Sequence, residues 1–295
     1  MDPRTIGRAV PDPIALVALY VKAHGRLPKL WRPEAFTEKV LWRVLFDRRP
    51  VLAEVSDKAR ARRFIAARLG EHVLPHLYFA TTDPRALPFD SLPNRFVLKP
   101  THASGWVLLV PDKRLANPLA LVRRCQDWMG ASYARTSREW LYRDVVRLVH
   151  AEEFISDGGP GAPNDYKLFV FDGRVHMVQV DVDRFGLHAR AFLTPDWVLT
   201  EARLGPQPRL GTTPPRPVHL DAMIAAAEQL GRDFDFLRVD CFCSREQFYI
   251  NELTATPCRG LNAFAPVDFD RALGAQWRLE QTVRSAALTA RRWLP

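Results

Sequence analysis

The stretch 238–253, RVDCFCSREQFYINEL, contains two β-type runs around a short polar segment, and each run carries a carboxylate. A three-residue turn at 245–247 predicts a hairpin in which Asp240 lies directly opposite Glu252. Opposed residues on antiparallel strands have Cβ atoms roughly 4.5–5.5 Å apart, so two like charges there are destabilising unless a cation compensates them. Oxygen ligands without a nearby cluster of His or Cys suit Mg²⁺, which uses one or two carboxylates together with substrate phosphates.

The register of this hairpin decides whether the two carboxylates form a site. The same pairing sets Ser244 opposite Phe248 and Arg238 opposite Thr254. A turn of even length would instead place the two carboxylates on opposite faces of the sheet. In that alternative both would be ordinary solvated strand residues.

A second stretch, 96–110, reads FVLKPTHASGWVLLV and places Lys99 inside an apolar β run. Only seven of the 42 basic residues are lysines, so a lysine within a strand of this arginine-rich chain indicates a need for its compact ammonium group. That charge could lie against phosphate oxygens, with hydroxyl and backbone N–H groups of THASG around them. The pattern GxxxxGK[ST] is missing, and a Lys99 that merely extends to solvent is the alternative.

Composition and charge limit the class of protein. The 295 residues are 47% hydrophobic, enough to bury a large core in two lobes, and the formal net charge is +9. The arginines are scattered in pairs without a nucleic-acid motif, so we expect no nucleic-acid partner. The apolar run 14–21 lacks a basic region before it and is too short to span a bilayer, so we expect no transmembrane segment. The four cysteines lack metal or disulfide spacing, which favours a cytoplasmic protein.

Patterns along the rest of the chain predict helices mixed with antiparallel hairpins. Helical spacing of apolar residues predicts helices at 14–49, 57–70, 117–129 and 220–231, with two more near the C-terminus. Strands are predicted near 73–79 and 148–155 and in a hairpin over 166–180, and a proline-rich connector is predicted at 204–217. The fold class is therefore α+β.

Four stretches in this order, FVLKPTHASG, AEEFI, DYKLFVFDG and RVDCFCSREQFYINELTATP, resemble the ATP-grasp superfamily, specifically its TupA-like branch. That branch is associated with bacterial cell-surface polymer biosynthesis. The resemblance extends from about Phe36 to Gly274 and includes FTEKVLW and SDKARARRF. It implies an ATP-grasp fold, with two α+β lobes that sandwich ATP and a helical N-terminal region. The implied division is 1–95 for the N-terminal helical region, 96–155 for the first lobe and 156–295 for the second lobe, which carries the metal site.

The resemblance also implies a nucleotide site with residues from both lobes. Its cofactor-binding residues are Arg62, Lys99, His102, Ser104, Gly105, Glu152, Glu153, Phe154, Ile155, Asp165 and Lys167. Lys99 is assigned to the α and β phosphates, where it also has a catalytic role, with Arg62 as a second cation. The loop 101–105 covers the phosphates, and 152–155 binds adenine through backbone groups. Asp165 falls where a ribose-binding acid is common, and Lys167 would face the nucleotide from the adjoining strand.

On the hairpin, the resemblance assigns Asp240, Glu252 and Thr254 to Mg²⁺ and gives Arg238 a catalytic role on the reacting carboxylate and the tetrahedral intermediate. Two positions depart from the family pattern. Thr254 stands where many ligases have Asn, and Cys258 stands where a glycine often supplies an oxyanion N–H. No His or Asp arrangement for a thiol nucleophile is evident, so we expect Cys258 to be a small buried residue.

The implied activity is that of an ATP-dependent carboxylate–amine ligase, which forms an amide through an acyl phosphate with ATP and Mg²⁺ as cofactors. Its substrates would be a small-molecule or polymer-linked carboxylate and an amine, in cell-surface polysaccharide or peptide-polymer biosynthesis. One alternative is a glycosyltransferase or kinase-type transferase in the same pathway. A non-catalytic anion-binding protein is the other. The sequence carries no signal of an oligomeric state.

Overall fold

A computed structural model of the protein describes residues 10–157, 163–184 and 186–279. These residues form the helices α1 (Asp12–His24), α2 (Phe36–Phe46), α3 (Pro50–Ser56), α4 (Lys58–Leu69), α5 (Pro118–Gly130), α6 (Tyr133–Ser137), α7 (Leu220–Gly231) and α8 (Val267–Ala275). The strands are β1 (Leu77–Thr81), β2 (Phe96–Pro100), β3 (Leu108–Val110), β4 (Val149–Glu153), β5 (Asp165–Phe171), β6 (Arg174–Val182), β7 (Ala189–Leu193), β8 (Arg203–Leu204), β9 (Phe236–Cys243), β10 (Phe248–Thr254) and β11 (Phe264–Ala265).

The strands form two larger sheets and one short ribbon, all with antiparallel pairing between neighbours. The first sheet has the order β1-β4-β2-β3, the second has the order β10-β9-β5-β6-β7, and β11 pairs with β8. Helices mixed with antiparallel sheets make this an α+β protein, which confirms the predicted class.

The first sheet buries one face against α5. Phe96 and Leu98 of β2 pack with Trp128 of α5 in a continuous apolar cluster. Because successive side chains of a strand point to opposite faces, Val97 and Lys99 point away from this cluster. Both line the cleft that lies on the other side of the sheet.

The second sheet has one apolar face and one divided face. Leu168, Val239 and Leu253 on the apolar face pack against α3, α4 and α7. On the other face, phenylalanines of β5 and β9 pack with Phe36 of α2 at one end. The opposite end of that face is polar and carries Asp165 of the same strand β5.

A buried arginine attaches the N-terminal helices to this second sheet. Arg43 of α2 donates to Asp235 Oδ1 at 2.6 Å and to the carbonyl oxygens of Phe236 and Ala255 at 2.9 and 3.0 Å. The contacts hold α2 against the start of β9 and the residue that follows β10. The helical region therefore supports the hairpin that carries the predicted metal ligands.

Several element bounds differ from the predictions. The helix predicted over 14–49 is divided into α1 and α2, because the prolines at 28 and 33 interrupt it, and Pro50 starts a further helix, α3, just beyond the predicted range. The strand predicted at 73–79 begins only at Leu77, since Glu71–Val73 forms a 3₁₀ turn. The second of the two predicted C-terminal helices lies outside the described residues. Within the described residues, no helix is both long and apolar enough to cross a membrane.

The predicted domain boundaries stay a prediction, with an N-terminal region at 1–95, a first lobe at 96–155 and a second lobe at 156–295. Strand β1 lies before residue 96 and yet pairs with β4, so a boundary at 96 would cut the first sheet. We therefore propose that the first lobe begins near residue 77.

Candidate active site

A cleft opens between the face of the first sheet that points away from α5 and the polar end of the second sheet. Its volume is about 780 Å³, which includes space open to solvent. The first sheet contributes Lys99 and Glu152, and the second contributes Asp165 and Glu252. A narrow cleft with apolar walls and a few convergent charges is typical of a ligand site.

The β9–β10 hairpin brings the two carboxylates together through a bulge. Near the turn, Phe248 pairs with Cys243 and not with Ser244, so the predicted pairing there is wrong by one residue. The register then shifts at Asn251, and beyond it Glu252 pairs with Asp240 as predicted. A bulge inserts one extra residue into one strand and redirects nearby side chains. Here both Asn251 and Glu252 line the cleft.

Arg238 is the cation nearest to Asp240. Its Nε and Nη2 donate to the two carboxylate oxygens of Asp240, each at 2.7 Å, in a bidentate pair. Nη2 also donates to Thr254 Oγ1 at 3.1 Å, and Thr254 pairs with Arg238 in the sheet as predicted. The hydroxyl predicted to bind metal is thus a hydrogen-bond acceptor for Arg238.

Two lysines reach the cleft from different elements. Lys99 forms an ion pair with Glu152, and its Nζ donates to Asn251 Oδ1 at 3.2 Å. Lys58, the first residue of α4, donates to Glu252 Oε1 at 2.9 Å and to the carbonyl oxygen of Ala103 at 2.7 Å. These two ammonium groups are the candidate phosphate ligands.

Arg62, the predicted second cation, lies one turn further along α4. It donates to the carbonyl oxygen of Pro75 at 2.8 Å, and its Nη1 is 3.9 Å from Glu152 Oε2. It lines a neighbouring groove, whereas Lys58 lines the cleft. The structure therefore favours Lys58 over Arg62 as the second cation.

The loop 101–105 contributes unevenly to the cleft. Gly105 lines it, and its φ of 76° is in the left-handed region that favours glycine. His102 is buried away from it, with Nε2 at 3.0 Å from the carbonyl oxygen of Trp128. Ser104 lies beside Tyr133. The structure thus brings one of these three predicted residues to the cleft and not the other two.

The predicted adenine segment, residues 152–155, lines the cleft along its whole length. Glu153 N donates to the carbonyl oxygen of His76 at 2.8 Å, and the Arg95 guanidinium carbon lies 4.4 Å from the centre of the Phe154 ring. These contacts fix the segment at the edge of the first sheet, where it faces the apolar side chain of Val97.

Asp165 and Lys167 belong to a buried charge network on β5. Lys167 is paired with Asp165 and with Asp181, the latter at 2.8 Å, and does not reach the cleft lining. Arg184 Nη1 donates to Asp165 Oδ2 at 2.7 Å and lines the cleft. Asp165 Oδ1 is buried without a hydrogen-bond partner among the described residues. This orphan acceptor suits a hydroxyl donor from a ligand.

The cations of the cleft control the ionisation of Glu252. Burial alone would raise the pKa of its carboxyl, but Lys58, with Arg238 and Lys99, outweighs burial and lowers that pKa to about 2. The carboxyl of Asp240 differs, because burial raises its pKa even though Arg238 opposes the shift. Asp240 is therefore a desolvated acid whose charge the protein compensates only in part.

The residues at the hairpin fit a magnesium ion. Two carboxylates, Asp240 and Glu252, pair across β9 and β10, and Asn251 adds a neutral amide oxygen on the same side. Within the described ranges, no group of three or more His, Cys, Asp or Glu side chains could hold a metal by itself. Mg²⁺ commonly uses one or two carboxylates plus substrate phosphates, so two carboxylates suffice.

Three cleft residues were missed from the sequence, namely Lys58, Asn251 and Arg184. The scarcity of lysine that singled out Lys99 applies equally to Lys58 and would have found it. Asn251 needed knowledge of the bulge, and Arg184 lies in an irregular segment after β6. Cys258 was expected to be buried and is exposed.

A histidine beside the cleft should make the protein sensitive to acid. Burial, with Lys99 and Arg62, lowers the pKa of His150 to about 3, whereas an unfolded chain protonates histidine near its ordinary value of about 6.5. Below about pH 6.5 the histidine is protonated in the unfolded state but stays neutral in the folded state. The free energy of unfolding therefore falls as the pH drops from about 6.5 toward 3. Wild type should lose about 2 kcal/mol more than His150→Gln between about pH 7 and pH 5 in urea titrations. Parallel stability curves would show that His150 is not the cause.

Comparison with known proteins identifies the family of this chain. The sequence profile of the family described as TupA-like ATPgrasp matches residues 38–278, most of the chain. The chain belongs to the TupA-like ATP-grasp family. This confirms the predicted family and the predicted ATP-grasp fold.

Solved structures with similar folds share little sequence with this chain. D-alanine–D-alanine ligase from Bacillus anthracis, complexed with ATP, is 14% identical, with a TM-score of 0.47 over 80% of this chain and 68% of that one. The corresponding ligase from Helicobacter pylori is 16% identical, with a TM-score of 0.47 over 82% and 67%. The D-cycloserine synthetase DcsG is 18% identical, with a TM-score of 0.44 over 78% and 72%. No protein of curated function matches the chain significantly.

Proposed function

We propose that the protein is an ATP-dependent ligase that joins a carboxylate to an amine through an acyl phosphate and releases ADP and phosphate. The observation that carries this proposal is the meeting of Lys58, Lys99 and Glu252 in one cleft between two sheets, with Asp240 paired to Glu252 across β9 and β10. Two ammonium groups suit the phosphates of ATP, and the carboxylates suit the cation that accompanies them.

The nucleotide would lie along the cleft from the adenine segment to the hairpin. Backbone groups of 153–155 would bind the adenine edge, with Val97 and Leu109 against its ring. Asp165 Oδ1, buried and without a partner among the described residues, would accept a hydrogen bond from a ribose hydroxyl. The phosphates would then reach Lys58 and Lys99, whose ammonium groups would exchange part of their present pairing with Glu252 and Glu152 for phosphate oxygens.

Asp240, Glu252 and the amide oxygen of Asn251 would hold Mg²⁺, with Thr254 as a weaker oxygen donor nearby. When bound, Mg²⁺ neutralises charge on the phosphates and reduces their repulsion of an incoming carboxylate. The protein residues then have distinct tasks. Lys58 and Lys99 orient the phosphate chain, and Glu252, whose low pKa keeps it ionised near neutral pH, retains its negative charge throughout.

The reaction would proceed in two steps. A carboxylate oxygen of the acceptor attacks the γ-phosphorus, the bond from that phosphorus to the bridging oxygen breaks, and ADP leaves. The amine nitrogen then attacks the acyl carbon, the carbon–oxygen bond to phosphate breaks, and the nitrogen loses a proton. Arg238 would stabilise the oxyanion that exists after the amine has attacked the acyl carbon and before the carbon–oxygen bond to phosphate breaks. Its bidentate contact with Asp240 holds the guanidinium plane in place.

The family assignment supports a finer proposal about the biological context. We infer a cytoplasmic enzyme that acts on a small-molecule or polymer-linked carboxylate destined for a cell-surface polysaccharide or peptide polymer. A transferase of the glycosyl or kinase type, and a non-catalytic anion-binding protein, are the competing assignments.

A screen of carboxylate and amine pairs for ADP release, with ATP and Mg²⁺ present, tests the proposed function. Amine-dependent ADP release, with amide product in equal amount, is the expected result. Turnover of a nucleotide sugar without ATP would instead identify a glycosyltransferase. Phosphorylated acceptor with no amide would identify a kinase, and salt-sensitive binding of anions without ATP turnover would identify a binding protein.

Lys58 and Arg62 provide a matched pair of substitutions on one helix. If Lys58 binds a phosphate, Lys58→Met should weaken ATP binding by roughly 10- to 100-fold, the cost of a lost charge-assisted hydrogen bond. Arg62→Met removes a cation one turn away and should change ATP affinity less than about threefold. Calorimetric titration of both variants with ATP and Mg²⁺ makes the comparison. A larger effect at Arg62 than at Lys58 would restore the assignment made from sequence.

A further inference from the structure

The turn that follows β10 has an unusual backbone. Cys258, Arg259 and Gly260 have φ values of 49°, 58° and 71°, so three successive residues adopt the left-handed conformation. Two of them carry side chains, for which this conformation is unfavourable. Such a turn persists only when contacts from outside hold it in place.

The segment 137–139, which lies at the end of α6, holds this turn on one side. Glu139 Oε1 accepts a hydrogen bond from Thr256 Oγ1 at 2.6 Å. Arg259 Nη1 donates to the carbonyl oxygen of Ser137 at 3.0 Å. Both ends of the turn are therefore attached to one short segment.

The N-terminal helices hold the other side. His24 Nε2 lies 2.8 Å from the carbonyl oxygen of Gly260. A Cβ atom on Gly260 would lie 2.2 Å from the carbonyl oxygen of Thr37, so α2 contacts the turn at a distance that only glycine permits. Contact with α2 therefore prevents the turn from moving toward that helix. On its other side, the hydrogen bond from Thr256 to Glu139 holds the turn in place.

Burial of the Glu139 carboxyl is unfavourable for folding. It is 5% exposed, and burial raises the pKa of its carboxyl despite the contacts with Thr256 and Arg259. Burying a carboxylate costs folding free energy that an apolar side chain at the same position would not cost. Packing alone therefore does not explain a glutamate here. The turn it holds begins two residues after Thr254, which accepts from Arg238. Cys258, within the turn, also lies near the Arg238 guanidinium.

We propose that Glu139 is a positioning residue for the acceptor half of the reaction: through Thr256 it fixes the 256–260 turn beside Arg238, where the acceptor carboxylate would bind. This rests on the proposed function for the identity of the ligand, but not for the contact that fixes the turn. Glu139 would act without touching ATP, since the phosphate ligands Lys58 and Lys99 lie on other elements. Loss of Glu139 should therefore affect acceptor use and spare nucleotide binding.

Cys258 offers a direct reading of the turn geometry. It is exposed, whereas the other three cysteines, at 125, 241 and 243, are buried. The rate of its alkylation by iodoacetamide in the native protein thus reports on the 256–260 turn. Glu139→Ala and Thr256→Val should each change this rate by about fivefold or more, because each removes one partner of a buried hydrogen bond to a charged group. Glu139→Gln and Thr256→Ser retain an acceptor and a donor, and both should restore a rate close to that of wild type.

Kinetics provide the second reading. Once the screen has identified an acceptor, Glu139→Ala and Thr256→Val should each raise KM for that acceptor or lower kcat by about tenfold. The ATP dissociation constant of each variant should stay within twofold of the wild-type value. If Glu139→Ala fails to fold, Thr256→Val makes the same test. An unchanged alkylation rate in folded Thr256→Val would overturn the proposal, and so would a parallel loss of ATP affinity. If no ligase activity is found at all, the alkylation rates still decide whether Glu139 fixes the turn.

Discussion

Lys99→Met should weaken ATP binding by roughly 10- to 100-fold, since it removes the ammonium group proposed to contact phosphate oxygens. The structure adds a second consequence. Lys99 is paired with Glu152, and both side chains are buried, so the substitution leaves a carboxylate without its nearest cation. Breaking a buried pair from one side typically costs roughly 3–5 kcal/mol of folding stability. Binding and stability must therefore be measured separately, by calorimetric titration and by urea unfolding.

The double variant Lys99→Met with Glu152→Gln separates these effects. The neutral pair should recover much of the stability lost in the single variant, because no uncompensated charge is left in the cleft wall. ATP affinity should stay low, because the ammonium group is still missing. If ATP affinity returns to the wild-type value in the double variant, Lys99 serves the fold and is not a phosphate ligand.

Substitutions of Glu252 and of Arg238 should change different kinetic quantities. Glu252→Gln removes a charge from the proposed magnesium site, so turnover should fall and the Mg²⁺ concentration needed for half-maximal rate should rise by about tenfold. Arg238→Lys keeps a positive charge beside Asp240 but loses the bidentate fork. It should lower kcat and kcat/KM together by about 10²–10³, as expected when a donor to a developing oxyanion is lost. Its ATP affinity and Mg²⁺ requirement should be those of wild type.

Thr254→Val is the control for Arg238, because it removes the other hydrogen-bond partner of the guanidinium and leaves the pair with Asp240 intact. A loss in kcat much smaller than that of Arg238→Lys is expected. Should Arg238→Lys weaken ATP binding while kcat holds, the guanidinium is a phosphate ligand and the second step is wrongly assigned. Should Glu252→Gln leave the Mg²⁺ requirement unchanged, the paired carboxylates are structural.

The hairpin shows how far sequence can predict such a site. A three-residue turn at 245–247 predicted Asp240 opposite Glu252, with an even register as the alternative, and the structure confirms that pair. The turn was predicted one residue away from its real register, and the bulge at Asn251 restores the agreement. A bulge depends on how the strand fits its neighbours and leaves no reliable periodicity in the sequence. Asn251 was overlooked for that reason, although it faces the cleft with Glu252.

Residues on loops and helix ends were predicted less well than residues on strands. Lys99 lies in the cleft, as the family resemblance implied, because Phe96 and Leu98 on the other face of β2 pack against α5. On α4, Lys58 and Arg62 are four residues apart and share a helix face, so their position on the helix does not choose between them. The choice depends on where the helix begins relative to β10, which is a tertiary contact. Cys258 was expected to be buried because of its residue type, but the left-handed turn exposes it.

The central claim is that a carboxylate is activated by the γ-phosphate of ATP before an amine attacks it. The most direct measurement follows a heavy-oxygen label from the carboxylate of the acceptor, once the screen has identified a substrate pair. If an acyl phosphate forms, one labelled oxygen appears in each inorganic phosphate released, in equal amount with ADP and amide. Unlabelled phosphate, or release of AMP and pyrophosphate in place of ADP, would contradict the account.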